Sequence, residues 1–167
     1  PGRQSSAMIP MLLYAQDEIG CVTPELVQEV ARRCGVTPLQ VDEVVGYYTM
    51  LHRKSLGKHH IQICTNISCM LTGGEELLER AKQKLGIGNR EVTPDGQFSL
   101  EEVECIGACS WAPAMIDNYD YHHNVTPEKL DQLLESLGAR SAASGPAGAI
   151  NRDRQGAVKS ARATCTA

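Results

Sequence analysis

Four cysteines set in two close pairs constrain this chain more than anything else in it. Cys64 and Cys69 end the run His60-Ile-Gln-Ile-Cys-Thr-Asn-Ile-Ser-Cys69, and Cys105 and Cys109 bracket Ile-Gly-Ala. Each pair follows an apolar, β-prone run, His60 to Ile63 for the first and Phe98 to Glu104 for the second. The segment between the pairs is long enough for a helix and a hairpin. If the two runs are strands of one sheet, the loops at their ends lie side by side and bring four sulfurs to one place. Four thiolates at one place bind metal.

The spacing bears on which metal. Zinc sites of four cysteines use short gaps in tight knuckles, whereas four thiolates also hold iron-sulfur clusters. A C-x4-C gap is wide for a knuckle and suits a group with two irons to straddle. Gly73 and Gly74 after the first pair, and Gly107 and Ala108 within the second, let backbone N–H groups approach sulfides that need donors. The residues favour a 2Fe-2S cluster and leave zinc and disulfides open. A thioredoxin-type redox site wants two residues between its cysteines at a helix start, and neither pair has that gap. His59 and His60 are candidate ligands of the Rieske kind, but with four cysteines present they read as residues that begin a strand.

These motifs in combination resemble a known family. Cys64-x4-Cys69, Cys105-Ile-Gly-Ala-Cys109 and Ala112-Pro113, preceded by Gly46-Tyr-Tyr-Thr-Met50, are similar to the 24 kDa subunit family of respiratory complex I, over about Ser6 to Gly138. The resemblance implies an α/β fold: a thioredoxin-like 2Fe-2S ferredoxin domain preceded by a small all-α helical bundle. It implies that Cys64, Cys69, Cys105 and Cys109 are the cluster ligands, the first pair on one iron and the second on the other. The chain departs from the family at Cys21, commonly Trp, at Ser68, often Pro, and at Tyr47, often Phe.

The formal net charge of -4 offers no basic face to nucleic acid. No run of about 18 apolar residues exists to span a membrane. The opening Pro1-Gly-Arg-Gln-Ser-Ser has no apolar signal core and no initiator Met, which leaves open that the numbering begins inside a longer chain. Seven cysteines without a signal peptide favour a reducing compartment. Cys21, Cys34 and Cys165 are spare: Cys34 reads as a small core residue, and Cys21 as a free thiol in a turn.

Taken in order, the chain predicts helices over 7–19, from Thr23-Pro24 to Gly35, and from the capping box Thr37-Pro38-Leu39-Gln40 onward. These make a helical bundle domain, 1–57. The ferredoxin domain, 58–138, follows. In it Thr72-Gly73-Gly74-Glu75 reads as a capping box, Thr93-Pro94-Asp95-Gly96 as a turn, Trp111 to Ile116 as a strand with Trp111 a candidate shield for the cluster, and Thr126-Pro127 as the start of a helix stopped by Gly138. The Ala, Gly and Ser of 139–167 cannot bury a core, and this extended tail is expected to dock on a partner subunit.

A cluster whose irons are fully ligated has no open position for substrate and passes one electron at a time. No dinucleotide loop or nucleophile triad is present. The resemblance implies an electron-transfer subunit of NADH:quinone oxidoreductase, one cluster per chain, beside a flavoprotein subunit that binds FMN and NADH, with other peripheral-arm subunits as further partners. The arm would lie on the cytoplasmic side of a bacterial inner membrane, or on the matrix side in a mitochondrion. The alternatives are the equivalent diaphorase subunit of an NAD-linked hydrogenase or formate dehydrogenase, a structural zinc module, and a thiol oxidoreductase.

Overall fold

Threonine followed by proline starts the second and third helices, as the sequence leads one to expect. The computed structural model describes residues 4–143. In it Thr23 accepts the Leu26 N–H at the head of α2 (Pro24–Cys34), and Thr37 and Gln40 cap one another reciprocally at the head of α3 (Pro38–Tyr47). Proline at the first helical position loses no hydrogen bond, because that N–H has no intrahelical partner. A short 3-10 turn, Gln4–Ala7, leads into α1 (Met8–Ile19). Left-handed Gly20 and Gly35 end α1 and α2.

The chain divides between Ser55 and Leu56. In the first unit Leu12, Val27, Val30, Ala31, Cys34, Val41 and Val45 form the core, so Cys34 is the buried residue expected of it. Cys21 corrects the expectation of a free thiol: it is buried and disulfide-bonded.

The second unit is a five-stranded mixed sheet, in the order β2-β3-β1-β4-β5. Its central pair, β1 (His59–Cys64) and β3 (Phe98–Val103), runs parallel, with Ile61 opposite Leu100 and Cys64 opposite Val103. Short antiparallel strands flank it: β2 (Glu91–Val92) beside β3, then β4 (Met115–Asp117) and β5 (Asp120–His122) beyond β1. One face is apolar. Ile61, Ile63, Leu100 and Met115 pack there against Leu77, Leu78 and Ala81 of α5 (Gly74–Leu85) and Leu130, Leu134 and Leu137 of α6 (Pro127–Ala143).

The other face carries a buried polar row. His60 Nδ1 lies 2.9 Å from Ser99 Oγ, and its Nε2 lies 3.2 Å from Glu101 Oε2. Glu101 also accepts from Gln62 at 3.2 Å and pairs with Arg90 at 3.3 Å. On the apolar face His59 pairs with Asp117 at 3.0 Å.

Three local expectations are corrected. A five-residue helix, α4 (Ile67–Leu71), capped by Asn66, follows the first cysteine loop. Thr72 closes that helix, its hydroxyl donating to the Ser68 and Cys69 carbonyls, so α5 begins at left-handed Gly73 without a side-chain cap. The strand read over Trp111 to Ile116 is confined to β4, because Cys109–Trp111 is a 3-10 turn and Pro113 has no N–H for a ladder. The third is the last helix: Gly138 does not end α6, which runs on through 139–143. An interior glycine costs a helix only about 1 kcal/mol, and the alanines after it are good helix formers. The rest of the tail, 144–167, lies outside the described residues.

Candidate metal centre

Parallel pairing of β1 and β3 is what brings the two cysteine loops together. Cys64 is the last residue of β1, and Cys105 stands two residues beyond the end of β3. The ladder continues past the strands, with the Thr65 N–H donating to the Val103 carbonyl at 3.1 Å. The Cys64 thiol then donates to the Glu104 carbonyl at 3.6 Å, which ties the first pair to the backbone just before the second. Cys69 sits on α4, and α4 packs on the 3-10 turn that carries Cys109.

Each pair has its own backbone donor. The Ala114 N–H reaches the Cys69 sulfur, while the Ala114 carbonyl accepts the Cys64 N–H at 3.3 Å. Gly107, at φ +76°, turns its N–H back onto the Cys105 sulfur at 3.3 Å. That conformation is one glycine adopts without strain. Tyr121 donates its hydroxyl to the Ile106 carbonyl at 3.2 Å and holds the same loop from the side.

The pairs differ in burial. Cys64 and Cys69 are each 2% exposed and pack against Ala108 and Ala114, whereas Cys105 and Cys109 are exposed. Burial pushes the Cys69 thiol up to about 11, the Ala114 N–H opposing it and the neighbouring Cys64 adding to it. Cys109 is also raised, first by the hydrogen bond with Cys105 and by that sulfur's charge, with the Ser68 hydroxyl pulling the other way. Cys64 acts on both Cys69 and Cys109, so the four sulfurs form one neighbourhood.

The donor set fits a binuclear iron-sulfur group. Two thiolates bound at about 2.3 Å to one tetrahedral ion lie roughly 3.8 Å apart, and the Cys105 and Cys109 sulfurs are 3.9 Å apart. The thiols come as pairs, and a binuclear cluster takes two on each iron.

His59 and His60 are not brought to this centre. They begin β1 while Cys64 ends it, so His60 stands about 13 Å down the strand at about 3.3 Å per residue, held by Ser99 and Glu101. Trp111 lies at the rim, 53% exposed, stacked on His123 with ring centroids 5.0 Å apart. Sequence reasoning passed over Ala114. Its only signal was a position just after Ala112-Pro113, where a backbone group rather than a side chain does the work.

The profile of the family described as thioredoxin-like [2Fe-2S] ferredoxin matches residues 1–138. The chain belongs to that family. Among its curated relatives, an NADH-quinone oxidoreductase subunit from Rhizobium meliloti is 45% identical over 139 residues, 83% of this chain and 82% of the relative. An NADH-quinone oxidoreductase subunit from Thermus thermophilus is 41% identical over 140 residues, 83% of this chain and 77% of the relative. Of solved structures, the NAD+-reducing [NiFe]-hydrogenase in its H2-reduced state superposes with a TM-score of 0.72 at 16% identity, over 86% of this chain and 24% of that one. At that identity the hydrogenase shares the fold of this ferredoxin family, and the likeness extends no further. No helix among the described residues is long and apolar enough to cross a membrane.

Proposed function

We propose that this chain is the electron-carrying subunit of an NADH:quinone oxidoreductase, with one 2Fe-2S cluster held by Cys64, Cys69, Cys105 and Cys109. The observation that carries the ligand set is the delivery of two thiol pairs from adjacent parallel strands, one pair with its sulfurs 3.9 Å apart. The relatives at 41–45% identity carry the complex. When bound, the cluster supplies reversible uptake of a single electron.

The chain's own groups set the terms of that transfer. Burial of Cys64 and Cys69 keeps water from one side of the centre. The N–H groups of Ala114 and Gly107 point at ligand sulfurs. Hydrogen bonds to cluster sulfurs favour the more negative, reduced state and so raise the potential. The exposed second pair gives a neighbouring subunit close approach, and the neighbour on this reading is the flavoprotein subunit that oxidises NADH at FMN. The chain then sits in the peripheral arm, on the cytoplasmic side of a bacterial inner membrane, and has no substrate site of its own.

The test is anaerobic absorption and EPR spectroscopy of the chain before and after dithionite, with iron and zinc counted on the same sample. Red-brown protein with an EPR signal on one-electron reduction, lost in Cys64→Ser and Cys105→Ser, is the expected result. Colourless protein that holds stoichiometric zinc after anaerobic reconstitution overturns the reading.

A further inference from the structure

The two halves of the centre differ in what can reach them. Cys64 and Cys69 are closed off by Ala108 and Ala114, and a reagent the size of a tripeptide does not pass residues that are 2% exposed. Cys105 and Cys109 face solvent with their sulfurs 3.9 Å apart. A disulfide needs about 2.05 Å, so side-chain rotation and a small shift of the intervening loop bring the pair to bonding distance. That loop, Cys105 to Ala108, is irregular backbone turned by Gly107.

We infer that Cys105 and Cys109 are a thiol–disulfide modification site of the cluster-free chain, oxidised by a small-molecule disulfide of the glutathione class to an intramolecular disulfide that bars metal from the site. The inference rests on the ligand assignment proposed above. In the first exchange one of the two thiolates attacks a sulfur of the small disulfide, forming a mixed disulfide and releasing one thiol. The second cysteine then attacks the protein-bound sulfur, closes the Cys105–Cys109 bond and releases the other thiol. The pair gives up two electrons and two protons, and the small disulfide is reduced to two thiols. With that bond closed, the exposed half of the centre offers no thiolates, and the two thiols that remain are each 2% exposed. A bound cluster protects the same sulfurs, so the modification separates loaded from unloaded chains.

The experiment treats the full cluster-free chain anaerobically with oxidised glutathione, alkylates it with iodoacetamide and maps its peptides by mass spectrometry. Co2+ is then titrated into treated and untreated samples, with thiolate-to-cobalt absorption as the readout. The expected peptide containing Cys105 and Cys109 is lighter by two hydrogens and unlabelled. Cys64 and Cys69 carry no glutathione, and the cobalt band is lost until dithiothreitol restores it. Cys105→Ser is expected to leave Cys109 with one stable glutathione adduct, because no resolving thiol remains. Glutathione or a disulfide mapping first to Cys64 or Cys69, or a treated chain that binds Co2+ as well as the untreated one, overturns the inference and leaves the ligand assignment standing. An untreated, reduced chain without a thiolate-to-cobalt band overturns the ligand assignment and this inference with it.

Discussion

Gly74 lies so close to the carbonyl oxygen of Cys64 that a Cβ at residue 74 would stand 2.6 Å from it, and 2.9 Å from the carbonyl oxygen of Cys69. The first turn of α5 therefore rests on the backbone of both cysteines of the first pair. Backbone has nowhere to go, so Gly74→Ala is expected to cost about 1–3 kcal/mol, the usual range for overpacking. Urea unfolding of the cluster-free chain checks this, and the iron bound per chain should fall as well. Gly46, in α3, is the control, because a Cβ there would meet nothing within 4 Å. Gly46→Ala should stabilise by up to about 1 kcal/mol, since alanine is the better helix former.

Thr37 closes the helical unit's clearest cap, with its hydroxyl accepting the Gln40 N–H and the Gln40 side chain returning to the Thr37 N–H. Thr37→Ala is expected to cost about 1 kcal/mol. The loss should show in the thermal or urea transition of the first unit and leave the metal content unchanged.

Glu101 is a shared acceptor for His60, Gln62 and Arg90. Replacing it with alanine leaves buried His60 and half-buried Gln62 without that partner, which costs about 1–3 kcal/mol. Glu101→Gln keeps an acceptor oxygen and should recover part of the loss. Equilibrium unfolding of the two variants side by side gives the answer.

The Cys69 thiol, raised from its ordinary 9.0 to about 11 by burial, gives the cluster-free chain a pH dependence. The folded state holds this proton more tightly than the unfolded state does. Its contribution to stability is therefore complete below pH 9 and is lost as pH rises toward 11. Unfolding midpoints measured from about pH 8 to about pH 11 should fall more steeply in the wild-type chain than in Cys69→Ala, which lacks the titrating group.

Much of this architecture was legible because the chain marks its own boundaries. Thr23-Pro24, Thr37-Pro38 and Thr126-Pro127 each announce a helix start, and Gly20 and Gly35 announce stops. The β-prone runs before each cysteine pair, if taken as neighbouring strands, already imply a shared site. What escaped reading did so for physical reasons. A helix of five residues such as α4 is too short to show a period, and Asn66 was its one signal. Thr72 has a cap's chemistry at either end of a helix, and only the fold decides that it finishes α4. The alternation of His60 and Gln62, and of Ser99 and Glu101, identifies a polar face without saying that it is buried. Gly138 looks like a stop, but an alanine-rich continuation outweighs the small cost of one glycine.

The two outermost strands of the sheet are β2, two residues long, and β5, three residues long, and each carries an acidic residue, Glu91 and Asp120. Short, charged edges give an incoming strand almost no backbone to bond with. The unit is thus poorly suited to growing by strand addition, either onto a second copy or into a fibre. A subunit that docks on it has to recognise side chains, helices or loops rather than an open strand edge.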